Sequence, residues 1–161
     1  MIVISDTSAI SSLFNINKLE LLHQLFDKIV IPHAVYQELL ALEDAEIDIT
    51  LIKKANWLKV QKSTDRLLVE ELSQALDIGE SEAIALAYEI EADLLVIDEK
   101  RGREKAKAFG IKTVGLIGVV SQLKKRGYIN SVRPILDELR TSGFWISDDL
   151  YQKILEAEGE L

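Results

Sequence analysis

Two short apolar runs constrain this chain more than any other feature. Ile2–Ser5 and Leu94–Ile97 are each too short for a helix, and each is followed at once by an aspartate, Asp6 and Asp98. Long stretches of helical periodicity lie between and after them. Short apolar runs interleaved with helical patterns are the mark of βαβ units and a mainly parallel sheet. The pattern predicts strands at Ile2–Ser5, Lys28–Ile31, Leu58–Gln61, Leu94–Ile97 and Lys112–Val114. It predicts helices at Ser8–Asn15, Lys18–Phe26, Pro32–Leu42, Asp48–Ala55, Thr64–Leu76, Asp77–Ile90, Arg101–Phe109, Leu116–Arg126, Val132–Thr141 and Asp148–Glu158. The expected fold class is α/β, a three-layer α/β/α sandwich around a central, mainly parallel sheet. The 161 residues make one domain, with a core over about 1–130 and C-terminal helices over about 131–161.

Composition removes several kinds of chemistry. The chain has no cysteine, which excludes disulfide scaffolds, thiolate zinc sites and cysteine nucleophiles. Its two histidines, His23 and His33, read as structural or exposed residues. A net charge of −8 argues against a protein that coats nucleic acid with a broad basic face. It leaves room for an enzyme that meets nucleic acid through a small metal-filled site. The first residues, MIVISDTS, lack the basic region of a signal peptide, and no apolar run reaches membrane-spanning length. A cytoplasmic protein without membrane contact is the expectation.

The carboxylates carry the functional signal. If the two aspartate-terminated strands are parallel, Asp6 and Asp98 share the C-terminal edge of one sheet, where open α/β folds bind ligands. Glu38 falls on the inward stripe of Val35, Leu39 and Leu42. A carboxylate there needs a partner, and no lysine or arginine occurs between Ile29 and Ile52. In DIGESEAIALAYEI, Asp77 can cap a helix with Glu80 at the third position of a capping box, which accounts for Glu80 structurally. Glu82 opens a run that is apolar on nearly every side and has no such account. Asp6, Glu38, Glu82 and Asp98 cannot all stay charged at one edge without a counter-ion. A hard divalent cation, Mg2+ or Mn2+, resolves the repulsion and suits phosphodiester hydrolysis.

On these residues the sequence resembles the PIN domain, the fold of the ribonuclease toxins of toxin–antitoxin pairs. The matching pieces are ISDTSAI, IPHAVYQEL, GESEAIALA and LLVIDEKRGR, and the resemblance covers essentially the whole chain. Within the superfamily it is similar to a branch catalogued as a PIN-like domain of unknown function, which shares the GExE form and the IDEKRGR and TVGLIGVV runs. The resemblance implies a metal-dependent nuclease acting on RNA, with Asp6, Glu38, Glu82 and Asp98 as catalytic metal ligands. It also implies the toxin half of a toxin–antitoxin pair, with a small antitoxin protein as partner. The alternative is a catalytically inactive PIN-like module that works through protein contacts.

Further residues take supporting roles. Ser8 reads as a helix cap, and Thr7, Ser8 or, beside its capping role, Glu80 as a group that orients the metal's surroundings or contacts phosphate. Lys100, Arg101 and Arg103, just past Asp98, read as phosphate contacts. Trp57, Phe144 and Trp145 read as core or dimer contacts rather than base-stacking platforms. Apolar residues near the C-terminus, including Phe144, Trp145, Leu150 and Tyr151, lead to the expectation of a homodimer. The chain lacks the G-x-G-x-x-G of a dinucleotide-binding fold after its first strand, and it lacks the paired acids of a receiver domain there.

Overall fold

Neighbouring side chains of the short strands point to opposite faces, and this divides the interior into two cores. A computed structural model describes residues 1–161. The strands are Val3–Ser5 (β1), Ile29–Pro32 (β2), Leu58–Gln61 (β3), Leu94–Val96 (β4) and Thr113–Val114 (β5). All are parallel, in the order β3-β2-β1-β4-β5. Val3, Ile29, Ile31 and Val96 join the larger core on one face; Ile4, Leu95 and Ile97 join the smaller core on the other.

The helices are Thr7–Asn15 (α1), Glu20–Phe26 (α2), His33–Leu40 (α3), Thr50–Lys54 (α4) and Arg66–Leu72 (α5). Ile78–Glu89 (α6), Lys100–Ala108 (α7), Leu116–Lys125 (α8), Arg133–Thr141 (α9) and Asp148–Ala157 (α10) complete the set. Residues of α5, α6 and α7 fill the smaller core, while α1, α2, α8, α9 and α10 contribute to the larger. The result is the three-layer α/β/α arrangement that the alternation of patterns predicts. The all-round apolar character of α6 has a direct cause. It packs against α3, α5, α7 and the sheet, so eight of its twelve residues are buried. No helix is long and apolar enough to cross a membrane.

Most differences from the expected elements lie at helix ends, where capping decides. Helix α1 starts at Thr7, one residue early, so Ser8 sits inside the first turn and does not cap it. Pro32 occupies the N-cap position of α3 rather than its first turn. The helix expected to reach Leu42 stops at Leu40. It tightens into a 3-10 turn over Ala41–Ala45 and ends at Glu46 in the left-handed conformation.

The strand order creates the site. From β1 the chain steps to β2 and β3 on one side, then crosses to β4 and β5 on the other. The direction reverses between β1 and β4, and a crevice opens outside the carboxyl ends of strands at such a point. Ser5 pairs with Val96, so Asp6 and Asp98 leave these two neighbouring strands at that reversal.

Candidate active site

At this edge lies a cleft of about 670 Å³. Asp6, Glu38, Asp77, Glu80, Asp98 and Glu99 all line it, and no basic residue does. The remaining lining is hydroxyl-bearing, from α1, or aromatic, from the α9–α10 loop.

Asp6 lies deepest. It is only 4% exposed, and its Oδ1 is buried with no hydrogen-bond partner. Although it sits at the N-cap position of α1, its side chain makes no capping bond. Burial first, and then the Asp98 charge, push its pKa from 3.8 up to about 7. Asp98 is better satisfied. Its Oδ1 accepts the Leu116 amide at 2.8 Å, at the start of α8, and its Oδ2 accepts the Ser8 hydroxyl at 3.3 Å. Glu38 finds the partner that its own helix lacks: Thr7 Oγ1 donates to its Oε2 at 2.6 Å. Burial nevertheless raises the Glu38 pKa. Thr7 and Ser8 thus hold two of the carboxylates from the first turn of α1.

Glu80 and Glu82 exchange the places expected of them. Glu82 is buried, 5% exposed, and does not line the cleft. Its Oε1 accepts the Ala34 amide at 3.1 Å, in the first turn of α3, and its Oε2 pairs with Arg66 Nη1 at 3.2 Å. Glu82 therefore ties α6 to α3 and α5. The capping box around Asp77 is only half formed. Asp77 Oδ1 accepts the Glu80 amide at 2.8 Å, but the Glu80 side chain turns into the cleft. Its Oε2 is buried without a partner. Burial and the adjoining Asp77 carboxylate raise the Glu80 pKa to about 8.

The basic residues after Asp98 divide. Lys100 and Arg101 are exposed and stay out of the acidic cleft. Arg103 turns back to the main chain, where its Nη1 donates to the Ile97 and Asp98 carbonyls. With Lys100, Lys107 and Lys112 it borders a separate open groove. Trp57 is buried and stacks on His23 with ring centroids 5.0 Å apart, and half-buried Phe144 packs against the larger core. Trp145 does not join the core: it is 81% exposed at the cleft.

The sequence reading missed two glycines. A Cβ on Gly79 would collide with the Glu38 carboxylate, and one on Gly115 would fall 2.9 Å from Asp98 Oδ1. Both glycines let a carboxylate lie against backbone. The available signal was only that each glycine directly precedes or opens a helix-forming run, in DIGE and TVGL; neither is near in sequence to the carboxylate it accommodates.

The donor set fits a hard divalent ion. No three acidic side chains form a ready-made cage. Magnesium, however, needs only one or two carboxylates, with waters and phosphate oxygens completing its shell. A buried carboxylate oxygen without a partner, facing a cleft that holds acids and no base, is the environment such an ion would satisfy.

A parallel sheet with a strand-order reversal and acids at that reversal defines an open α/β domain with an acidic cleft at its switch point. The chain matches the family described as DUF3368, a PIN domain, over residues 2–160, and it belongs to that family. Among solved structures it is similar to a PilT N-terminus domain protein from the hyperthermophilic archaeon Sulfolobus solfataricus P2. The two share 24% identity at a TM-score of 0.56, over 76% of this chain and 92% of that one, which establishes likeness of fold. No curated protein matches the chain.

Proposed function

We propose that the cleft is the active site of a metal-dependent nuclease that hydrolyses phosphodiester bonds, with RNA as substrate. The observation that carries this reading is the buried Asp6 carboxylate, its Oδ1 without a partner, in a cleft with five further acids and no base. Asp6 and Asp98 would hold a magnesium or manganese ion, with Glu38 and Glu80 around it. The ion would neutralise these acids and stabilise the negative charge that develops on phosphoryl oxygens.

The chain's own groups do the rest. Thr7 fixes the rotamer of Glu38, and Ser8 with the Leu116 amide fixes Asp98. Burial and the Asp77 carboxylate raise the Glu80 pKa to about 8 in the metal-free cleft, so a bound cation would relieve the cost of ionising it. Glu82 has no part in this chemistry; it holds α3 and α6 in register so that Glu38 reaches the cleft. In this reading the protein serves as the toxin of a toxin–antitoxin pair, and a small antitoxin covers the cleft.

The test is cleavage of a labelled single-stranded RNA by purified protein in chelator, magnesium and manganese. Wild type should cut only with metal, and Asp6→Asn should lose at least 100-fold, about 3 kcal/mol of transition-state stabilisation. A wild-type protein that binds metal and cuts no RNA under any of these conditions would favour the inactive interaction module.

A further inference from the structure

We propose that Trp145 is a stacking platform for an unpaired nucleobase, which sets the strand so that its neighbouring phosphate enters the acidic cleft. This rests on the nuclease reading and narrows its substrate class to single-stranded RNA. Three observations meet at this residue. The first is position: Trp145 lines the same cleft as Asp6, Glu38 and Asp98.

The second is exposure on a fixed support. Trp145 is 81% exposed, yet half-buried Phe144 precedes it and fully buried Ile146 follows it. The loop is pinned at both ends. Gly143 takes φ +104, and the Phe144 amide donates to the Leu139 carbonyl at 2.9 Å. Ser147 caps α10 by accepting the Leu150 amide at 3.1 Å, and Arg140 pairs with Asp148 across the loop. The indole is therefore held out in water by an ordered backbone, forfeiting the stabilisation that burying it would give.

The third is charge. The cleft offers a polyanion six acids and no base, so phosphate contacts alone cannot grip the strand there. An aromatic face binds any base by stacking and is indifferent to the surrounding charge. Stacking needs an unpaired base, which a duplex does not present.

The experiment uses the full chain with a short single-stranded oligoribonucleotide and an abasic ribose-phosphate oligomer of equal length, both in calcium. The chain has two tryptophans, and Trp57 is buried against His23, so Trp145 is the indole that a base can reach. The oligoribonucleotide should quench emission saturably in wild type and not in Trp145→Phe, which still binds. Trp145→Ala should bind it five- to 150-fold more weakly, the equivalent of about 1–3 kcal/mol of base stacking. The abasic oligomer, which has only phosphate contacts to offer, should bind wild type and Trp145→Ala equally weakly. In steady-state cleavage, Trp145→Ala should raise KM and leave the manganese-induced melting shift intact.

Equal affinity of wild type and Trp145→Ala for the oligoribonucleotide would overturn the proposal, as would quenching by the abasic oligomer. So would loss of a dimer in Trp145→Ala without any effect of RNA on emission, which would make this face a contact between two copies of the chain. Failure of the nuclease reading looks different, because base-dependent quenching would then occur without metal-dependent cleavage.

Discussion

Asp6 is a carboxylate kept where water cannot solvate it, and its cost shows as a pH dependence. The carboxyl titrates at its ordinary 3.8 in the unfolded chain and at about 7 in the folded one. Between these values the native state binds more protons than the unfolded state, so stability falls as pH rises through the window. The loss is complete above about 7, and at 1.36 kcal/mol per unit it amounts to about 4 kcal/mol. Chemical denaturation in chelator at pH 5 and pH 8 should show this fall in wild type and a flatter profile in Asp6→Asn. Glu80 and Glu82 make a second contrast. Glu82→Gln weakens the buried link to Ala34 and Arg66 and should cost about 1–3 kcal/mol, with activity per folded molecule largely kept. Glu80→Gln keeps the Asp77 cap, which rests on the Glu80 main chain, and should melt no lower than wild type while losing activity. Parallel melting and cleavage measurements on both variants check the exchange. That exchange was not legible in the sequence, because two glutamates two positions apart point opposite ways on a helix and only α3 and α5 decide which way is inward.

At the scale of elements, the sheet was readable and the junctions were less so. Strands β1, β2 and β4 are short, largely apolar runs, β3 (LKVQ) alternates apolar and polar residues, and all five strands appear within about a residue of the expected bounds. Asp6 and Asp98 were legible as candidate site residues because strand ends carry their own punctuation. Ser8 was misread as a cap because Asp6, two residues earlier, already holds the N-cap position without capping. The exposure of Trp145 was hidden for another reason: nothing local distinguishes an aromatic that packs from one that a pinned loop holds in solvent. Helix α6 supplies a prediction at this scale. Gly79→Ala should gain the usual helix propensity of about 0.5–1 kcal/mol, because the atom it would strike is the end of a flexible side chain. The displaced Glu38 would leave Thr7, so metal-dependent cleavage should fall while the melting point holds or rises. A fall in both would show that Gly79 serves the backbone rather than the carboxylate.

Across the whole molecule, the strand-order reversal gathers acids from β1, α3, α6 and the β4–α7 junction, which are far apart in sequence. The C-terminal helices belong to the same assembly. Glu160 accepts the Val132 and Arg133 amides and pairs with Lys124 at 2.7 Å, fastening the chain end to the start of α9. The α9–α10 loop at the cleft is carried between these two helices. Glu160→Ala should therefore lower the melting point, at a cost of about 1–2 kcal/mol, and weaken RNA binding without changing metal affinity. The central claim is that the acids at the sheet edge form a divalent-metal site, and the manganese-induced melting shift of wild type against Asp6→Asn tests it most directly. A hundredfold excess of manganese over its dissociation constant should stabilise wild type by about 2.7 kcal/mol. Asp6→Asn should melt higher than wild type in chelator and gain less from manganese. No manganese shift in wild type, together with a lower chelator melting point for Asp6→Asn, would contradict the account and make the acids a structural network.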